Sequence, residues 1–140
     1  MSESYGNESC DWVAGRLLPY SSDAERDFIS NVVAPMMQSG EITYFVWQPR
    51  EMPLFDKKGR LVDPYRPDAF IRWDNGEEWY IEVKRGRIEQ ISAHKMKLFC
   101  LEYPNKKLVL AWFGRIPTRG PTKRRLDTIT PHLHHIWTVK

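Results

Sequence analysis

Two runs of alternating apolar and polar residues flank an Asn-Gly pair within residues 66–86, RPDAFIRWDNGEEWYIEVKRG, and this pattern strongly constrains the fold. Such alternation predicts two antiparallel strands, each with one face directed at a core. The Asn75-Gly76 pair favours a two-residue hairpin turn, but that turn mixes apolar and charged side chains on both faces. A three-residue loop at residues 74–76 instead places the apolar side chains on one face and the charged side chains on the other. Because a slip of one residue exchanges the two faces of a strand, we predict the three-residue loop.

The predicted register gathers charged groups on one face of the hairpin. It places Asp68 opposite Glu82, with Lys84 one step further along the same face. Two ionised carboxylates at cross-strand distance repel each other, and a divalent cation between them removes that repulsion. Mg²⁺ suits two carboxylates and a backbone carbonyl, and Lys84 can hold or polarise the water that attacks phosphorus. The other face is apolar: Ala69, Ile71, Trp73, Trp79, Ile81 and Val83.

An acid-x-Lys triplet in a strand also has a structural interpretation. A solvent-exposed ion pair between Glu82 and Lys84 is the commoner arrangement for such a triplet alone. Here a Pro-Asp pair precedes the triplet at a fitting distance and a basic helix follows it, so the catalytic interpretation is favoured.

The flanking segments predict an α/β protein with a mixed central sheet between helices. Ser22 and Glu25 form a capping box at the start of the first helix. The other elements are predicted from periodicity and turn residues. In chain order they are a helix near residues 22–38, the strand ITYFVWQ, a long loop or irregular hairpin at 49–66, the two central strands, a helix near 88–101, the buried strand KLVLAWF, a basic loop at 114–131 and the edge strand HHIWTVK.

Chain length and composition predict one domain in residues 21–140, preceded by an irregular arm in residues 1–20. There is no apolar run of the length that a membrane helix needs and no signal-peptide pattern, so we expect a soluble, cytoplasmic protein with no membrane partner. Cys10 and Cys100 are expected to be reduced thiols.

Charge is distributed unevenly along the chain, although its net value is only +3. Residues 1–83 contain 8 Lys and Arg against 15 Asp and Glu, whereas residues 84–140 contain 13 against 3. This asymmetry favours a basic face for a polyanion such as DNA, or alternatively a solvated surface. The candidate phosphate contacts are Lys95, Lys97, Arg115, Arg119, Lys123, Arg124 and Arg125. Gln90 and His94 are further candidates on the second helix.

The pair Pro67-Asp68 and the triplet Glu82-Val83-Lys84 resemble the motif of the PD-(D/E)XK nuclease superfamily, which has a restriction-endonuclease-like core of order α-β-β-β-α-β. With Ser22-x-x-Glu25, the pattern is most similar to phage junction-resolving endonucleases and the endonuclease subunit of Tn7-like transposons. The resemblance implies that Asp68, Glu82 and the Val83 carbonyl bind Mg²⁺, for which Mn²⁺ can substitute, and that Lys84 is the catalytic lysine. It implies that Glu25 contacts a second metal or its waters, whereas the capping box gives Glu25 a purely structural role.

The resemblance implies a Mg²⁺-dependent DNA endonuclease of the junction-resolving or site-specific, homing type, leaving 5′-phosphate and 3′-hydroxyl ends. Cutting two strands with one active site per chain predicts a homodimer or higher homo-oligomer. The alternatives are a non-catalytic DNA-binding module on the same fold and a structural protein that does not bind nucleic acid. His132, His134 and His135 form a candidate metal cluster, but without a neighbouring carboxylate or cysteine they are interpreted as surface or DNA-facing residues.

Overall fold

The structure is a computed structural model that describes residues 23–140. The arm predicted for residues 1–20, Cys10 and the Ser22 half of the capping box therefore lie outside the described residues. The helices are α1 (Asp23–Phe28), α2 (Ala34–Gln38), α3 (Gln90–Glu102) and α4 (Gly120–Ile129). The strands are β1 (Ile42–Trp47), β2 (Met52–Phe55), β3 (Leu61–Tyr65), β4 (Ala69–Trp73), β5 (Glu78–Arg85), β6 (Lys107–Phe113) and β7 (His135–Val139).

Within residues 23–140, five strands form a mixed central sheet in the order β1-β4-β5-β6-β7. The pairs β1–β4 and β4–β5 are antiparallel, whereas β5, β6 and β7 run parallel. β2 and β3 form a separate antiparallel hairpin, which is one of the two alternatives predicted for residues 49–66. The predicted fold class is confirmed: the protein is α/β, with a mixed sheet flanked by helices, consistent with a restriction-endonuclease-like core.

The predicted register of the β4–β5 hairpin is also confirmed. Ala69 pairs with Ile81 and Ile71 pairs with Trp79, which leaves a three-residue loop at 74–76. The loop closes through a 2.8 Å hydrogen bond from the Trp73 N–H to the Glu77 carbonyl. Gly76, with a φ of 91°, occupies the left-handed region that this loop requires and that glycine adopts without strain.

The sheet separates two apolar layers. The first lies between the sheet and the N-terminal helical segment and includes Phe28, Phe45 and Ile81. The second lies beneath α3 and includes Phe99 and Trp112. All residues of β6 except the first are buried, as predicted for a strand covered on both faces. None of the helices in residues 23–140 combines the length and apolar character that a membrane span requires.

The first helical segment runs through residues 23–38, close to the predicted range, but it contains an unpredicted π-helical turn at Ile29–Val33. Pro35 follows this turn within the same continuous segment, and because proline has no backbone N–H it removes one hydrogen bond of the regular α-helical pattern. The predicted edge strand is confirmed as β7, which pairs in parallel with β6.

The prediction of a basic loop at residues 114–131 is wrong, because this segment contains α4. Pro121 lies in the first turn of α4, a position where proline favours a helix. Leu126 and Ile129, three residues apart, are buried in the layer beneath α3. The surrounding Pro, Gly and basic residues concealed this short apolar stripe, and the packing of the stripe stabilises the helix.

Candidate active site

Asp68 and Glu82 lie on the face of the sheet that α3 covers. They are one step beyond the last paired residues of β4 and β5, and the Val83 N–H donates a 2.8 Å hydrogen bond to Asp68 Oδ2. Burial, followed by the Glu82 charge, raises the pKa of Asp68 well above its ordinary value. Burial also raises the pKa of Glu82, of which 7% is exposed. Both shifts favour the neutral, protonated carboxyl group, and a cation held between Asp68 and Glu82 would favour the ionised form instead.

Lys84 places an ammonium group at the edge of this carboxylate pair. Its Nζ lies 3.5 Å from Glu82 Oε2 and donates a 3.3 Å hydrogen bond to Ser92 Oγ in the first turn of α3. The β-strand alternation directs Glu82 and Lys84 to the same face, and the following helix supplies the serine that holds the lysine. The structure thus brings Asp68, Glu82 and Lys84 to one end of the β4–β5 pair.

Tyr65 is a site residue that sequence reasoning did not single out for a role. Its hydroxyl donates a 2.5 Å hydrogen bond to Glu82 Oε1. Burial, followed by the Glu82 charge, raises the pKa of Tyr65 well above its ordinary value, so the phenol remains a donor. Its position two residues before Pro67-Asp68 was a signal, but only the β2–β3 hairpin brings it to Glu82. Ser92 was likewise missed; its signal was a small polar residue in the helix after the acid-x-Lys strand.

Glu25 reaches this region from α1, which packs on the opposite face of the sheet. It is 8% exposed and lines a cleft of about 590 Å³ together with Val83 and Lys84. An ion pair of 3.0 Å between Arg85 and Asp27 ties α1 to β5. The Glu25 charge contributes to the raised pKa of Asp68, so the two carboxylates are electrostatically close.

The donor chemistry of the site fits a divalent cation only in part. Across residues 23–140, no three His, Cys, Asp or Glu side chains come together as a preformed metal site. Asp68, Glu82 and the Val83 carbonyl offer hard oxygen ligands, which Mg²⁺ prefers, and Mg²⁺ commonly retains several waters. These residues fit an ion whose remaining ligands are water and substrate oxygens.

A basic cleft separates α3 from α4 and contains three of the seven predicted phosphate contacts. It has a volume of about 440 Å³, and its polar lining includes Gln90, His94, Lys97, Arg124 and Arg125. Arg125 Nη1 also donates a 3.0 Å hydrogen bond to the Ile88 carbonyl, which fixes α4 beside the start of α3.

The other predicted phosphate contacts lie apart from this cleft. Lys95 Nζ donates a 3.4 Å hydrogen bond to the Pro64 carbonyl, and Lys123 forms an ion pair with Asp127 on α4. Arg115 and Arg119 are exposed in the segment before α4.

The predicted histidine cluster does not form a metal site within the described residues. His134 Nε2 lies 3.4 Å from Glu77 Oε2, and its ring contacts Trp79 at a centroid distance of 5.6 Å. His135 begins β7 and also contacts Trp79, at 6.0 Å, whereas His132 lies in the 3₁₀ turn before that strand.

Comparison with known proteins gives one similar structure. No family model matches the chain, and no curated protein matches it. A solved structure described as an EndoMS–dsDNA2 complex is similar, with 19% sequence identity and a TM-score of 0.42. The match covers 89% of this chain and 49% of that chain, so this chain spans about half of its length. At this level of similarity, no residue role is transferred.

Proposed function

We propose that this protein is a Mg²⁺-dependent DNA endonuclease that hydrolyses phosphodiester bonds. The observation that carries the proposal is the convergence of Asp68, Glu82 and Lys84 on one sheet face, with Lys84 Nζ 3.5 Å from Glu82 Oε2. Paired carboxylates beside an amine are the groups that metal-assisted phosphodiester hydrolysis uses. Mn²⁺ is expected to replace Mg²⁺, and the products are expected to carry 5′-phosphate and 3′-hydroxyl ends.

Asp68, Glu82 and the Val83 carbonyl would hold the ion, which supplies a more acidic water and neutralises charge on phosphate oxygens. Lys84 orients the attacking water through its ammonium hydrogens. Tyr65 and the Val83 N–H hold the Glu82 and Asp68 carboxylates in place through their hydrogen bonds. Glu25 lies where its carboxylate can accept hydrogen bonds from water in the adjoining cleft.

DNA is the proposed partner because its phosphates are negatively charged and the protein presents basic side chains close to the candidate active site. The cleft lined by Lys97, Arg124 and Arg125 begins at the same helix, α3, that holds Lys84 through Ser92. Such basic side chains bind the phosphate backbone of DNA regardless of the base sequence. Cleavage of both strands of a duplex or junction favours a second active site, so we propose that the protein acts as a homodimer or higher homo-oligomer.

A non-catalytic DNA-binding module is the second candidate, and one observation favours it. Both Glu82 oxygens already have partners, Tyr65 on Oε1 and Lys84 on Oε2, and no preformed metal cluster exists in residues 23–140. A site of this kind can be a structural ion pair. The module would bind DNA without cutting it.

A cleavage assay separates the two candidates. Supercoiled plasmid, linear duplex and a four-way junction are incubated with the protein in Mg²⁺, Mn²⁺ or EDTA. The nuclease proposal expects metal-dependent strand cleavage that Lys84→Ala abolishes. Lys140→Ala is the control: it also removes one lysine charge, but from an exposed position, and it should preserve cleavage. Binding without cleavage supports the module, and the absence of both refutes a role with DNA.

A further inference from the structure

Three half-buried aromatic side chains lie in a row on the sheet face that carries Asp68 and Glu82. Tyr44 of β1, Phe70 of β4 and Tyr80 of β5, which we call the aromatic row, line an open cleft of about 300 Å³. The centroid of Phe70 lies 6.1 Å from that of Tyr44 and 5.0 Å from that of Tyr80. The cleft exposes ring surface that the protein core does not cover.

The aromatic row is fixed to the core at one end. The Tyr80 ring contacts Phe99 of α3, which is fully buried, at a centroid distance of 5.7 Å. The Tyr44 end lies at β1, an edge strand of the sheet. Stacking on a ring that already packs against the core costs little further side-chain entropy.

Cations accompany the aromatic row. The Arg72 guanidinium lies 5.0 Å from the centroid of Tyr44, and Lys106 Nζ lies 5.4 Å from that of Tyr80. Arg50 lines the same cleft. Aromatic faces interleaved with basic side chains bind single-stranded nucleic acid, because the rings stack on bases while the cations contact the backbone.

The aromatic row lies close to the candidate active site along the chain of the same hairpin. Phe70 and Tyr80 are cross-strand partners. Phe70 lies two residues after Asp68, which directly precedes β4, and Tyr80 lies two residues before Glu82 on β5. Two residues of a strand span about 7 Å. A nucleotide adjoining a phosphate at Asp68 and Glu82 can therefore reach the aromatic row.

We propose that the aromatic row stacks an unpaired base next to the cleaved phosphodiester bond. The preferred substrate is then DNA with an unpaired nucleotide, such as a bulge or branch, because a base within a duplex does not offer its face to a side chain. This inference rests on the proposed nuclease function for the position of the cut, but the stacking itself is a binding property that can be measured without cleavage.

Photocrosslinking tests the stacking directly. A duplex with one unpaired 5-iododeoxyuridine is irradiated with the protein in EDTA, and the crosslinked peptide is mapped by mass spectrometry. The proposal expects crosslinks within β1, β4 or β5 at the aromatic row, and a fully paired duplex carrying the same base should crosslink there at least tenfold less. Crosslinks confined to other elements overturn it.

Binding by variants provides the second test. Phe70→Leu and Tyr44→Leu are expected to weaken binding of the bulged duplex about tenfold, with little change for the paired duplex. Phe55→Leu is the matched control, since Phe55 is an exposed aromatic residue on β2 outside the aromatic row. Thermal melting checks that each variant is folded. If Phe70→Leu does not fold, Tyr44→Leu alone provides the test.

The outcomes distinguish the two proposals. Stacking without any metal-dependent cleavage supports the binding inference and refutes the nuclease. Cleavage that ignores both leucine substitutions leaves the nuclease in place and refutes the stacking. If the leucine substitutions weaken binding of bulged and paired DNA equally, the stacking is also refuted. If they abolish self-association without changing DNA binding, the aromatic row is a contact between two copies of the chain and the stacking is refuted.

Discussion

Replacing Asp68 with Asn is expected to stabilise the metal-free protein while abolishing cleavage. Asp68 is a partly buried carboxylate beside Glu82, and burial and the Glu82 charge raise its pKa well above the ordinary value. The neutral amide removes this repulsion, and its oxygen can still accept the Val83 N–H. Substitutions that relieve such strain at functional sites commonly add about 1–2 kcal/mol, so we expect a melting temperature roughly 3–8 °C higher.

The effect should depend on pH with a definite sign. Because the pKa of Asp68 is raised on folding, its contribution to stability is fully present below its unfolded-state value of 3.8 and is lost as pH rises through the folded-state value. The advantage of Asp68→Asn should therefore be small near pH 4 and larger at pH 8. Mg²⁺ should raise the melting temperature of the unsubstituted protein but not that of the variant.

Differential scanning calorimetry in EDTA measures this prediction across the pH range. Asp74→Asn, at an exposed loop position, is the control and should change the free energy of unfolding by less than about 0.5 kcal/mol. If Asp68→Asn lowers stability at every pH, the carboxylate is a favourable structural group and the reasoning fails.

Three further changes probe other parts of the site. Tyr65→Phe removes the donor to Glu82, so cleavage should fall about tenfold and unfolding free energy by about 1–2 kcal/mol; unchanged kinetics would contradict a role in holding Glu82. Glu25→Gln should reduce cleavage at least tenfold in single-turnover assays with the melting temperature preserved, whereas a capping role alone predicts no change in either, because Gln also serves at this position of a capping box. Arg124→Ala should weaken DNA binding and reduce the slope of log affinity against log salt by about 1 in fluorescence titrations; an unchanged slope would exclude a phosphate contact.

The central hairpin could be predicted from sequence because its alternation is strict. Segregating the faces of residues 69–73 and 79–83 required the three-residue loop, and the same register places Asp68 opposite Glu82. Local pattern and burial agree here, so a slip would expose Ile71 and Ile81. The buried strand β6 was predictable for a related reason, since its apolar run fits only a covered position.

Features that depend on packing between distant segments were not predictable. The apolar stripe of α4 consists of Leu126 and Ile129 within a basic, Pro- and Gly-rich stretch. These two side chains stabilise the helix only by packing in the apolar layer beneath α3. Tyr65 reaches Glu82 only because the β2–β3 hairpin folds over the sheet, 17 positions away in sequence. The π-helical turn at Ile29–Val33 was also not predicted, although Pro35 follows it closely.

The claim that Asp68 and Glu82 share a divalent ion is tested most directly by anomalous diffraction from crystals soaked in Mn²⁺. The account predicts an anomalous peak bridging the two carboxylates, with Lys84 beside it and no peak in a crystal of Asp68→Asn. The account would be contradicted if crystals that also contain bound DNA show no anomalous peak between Asp68 and Glu82 at millimolar Mn²⁺.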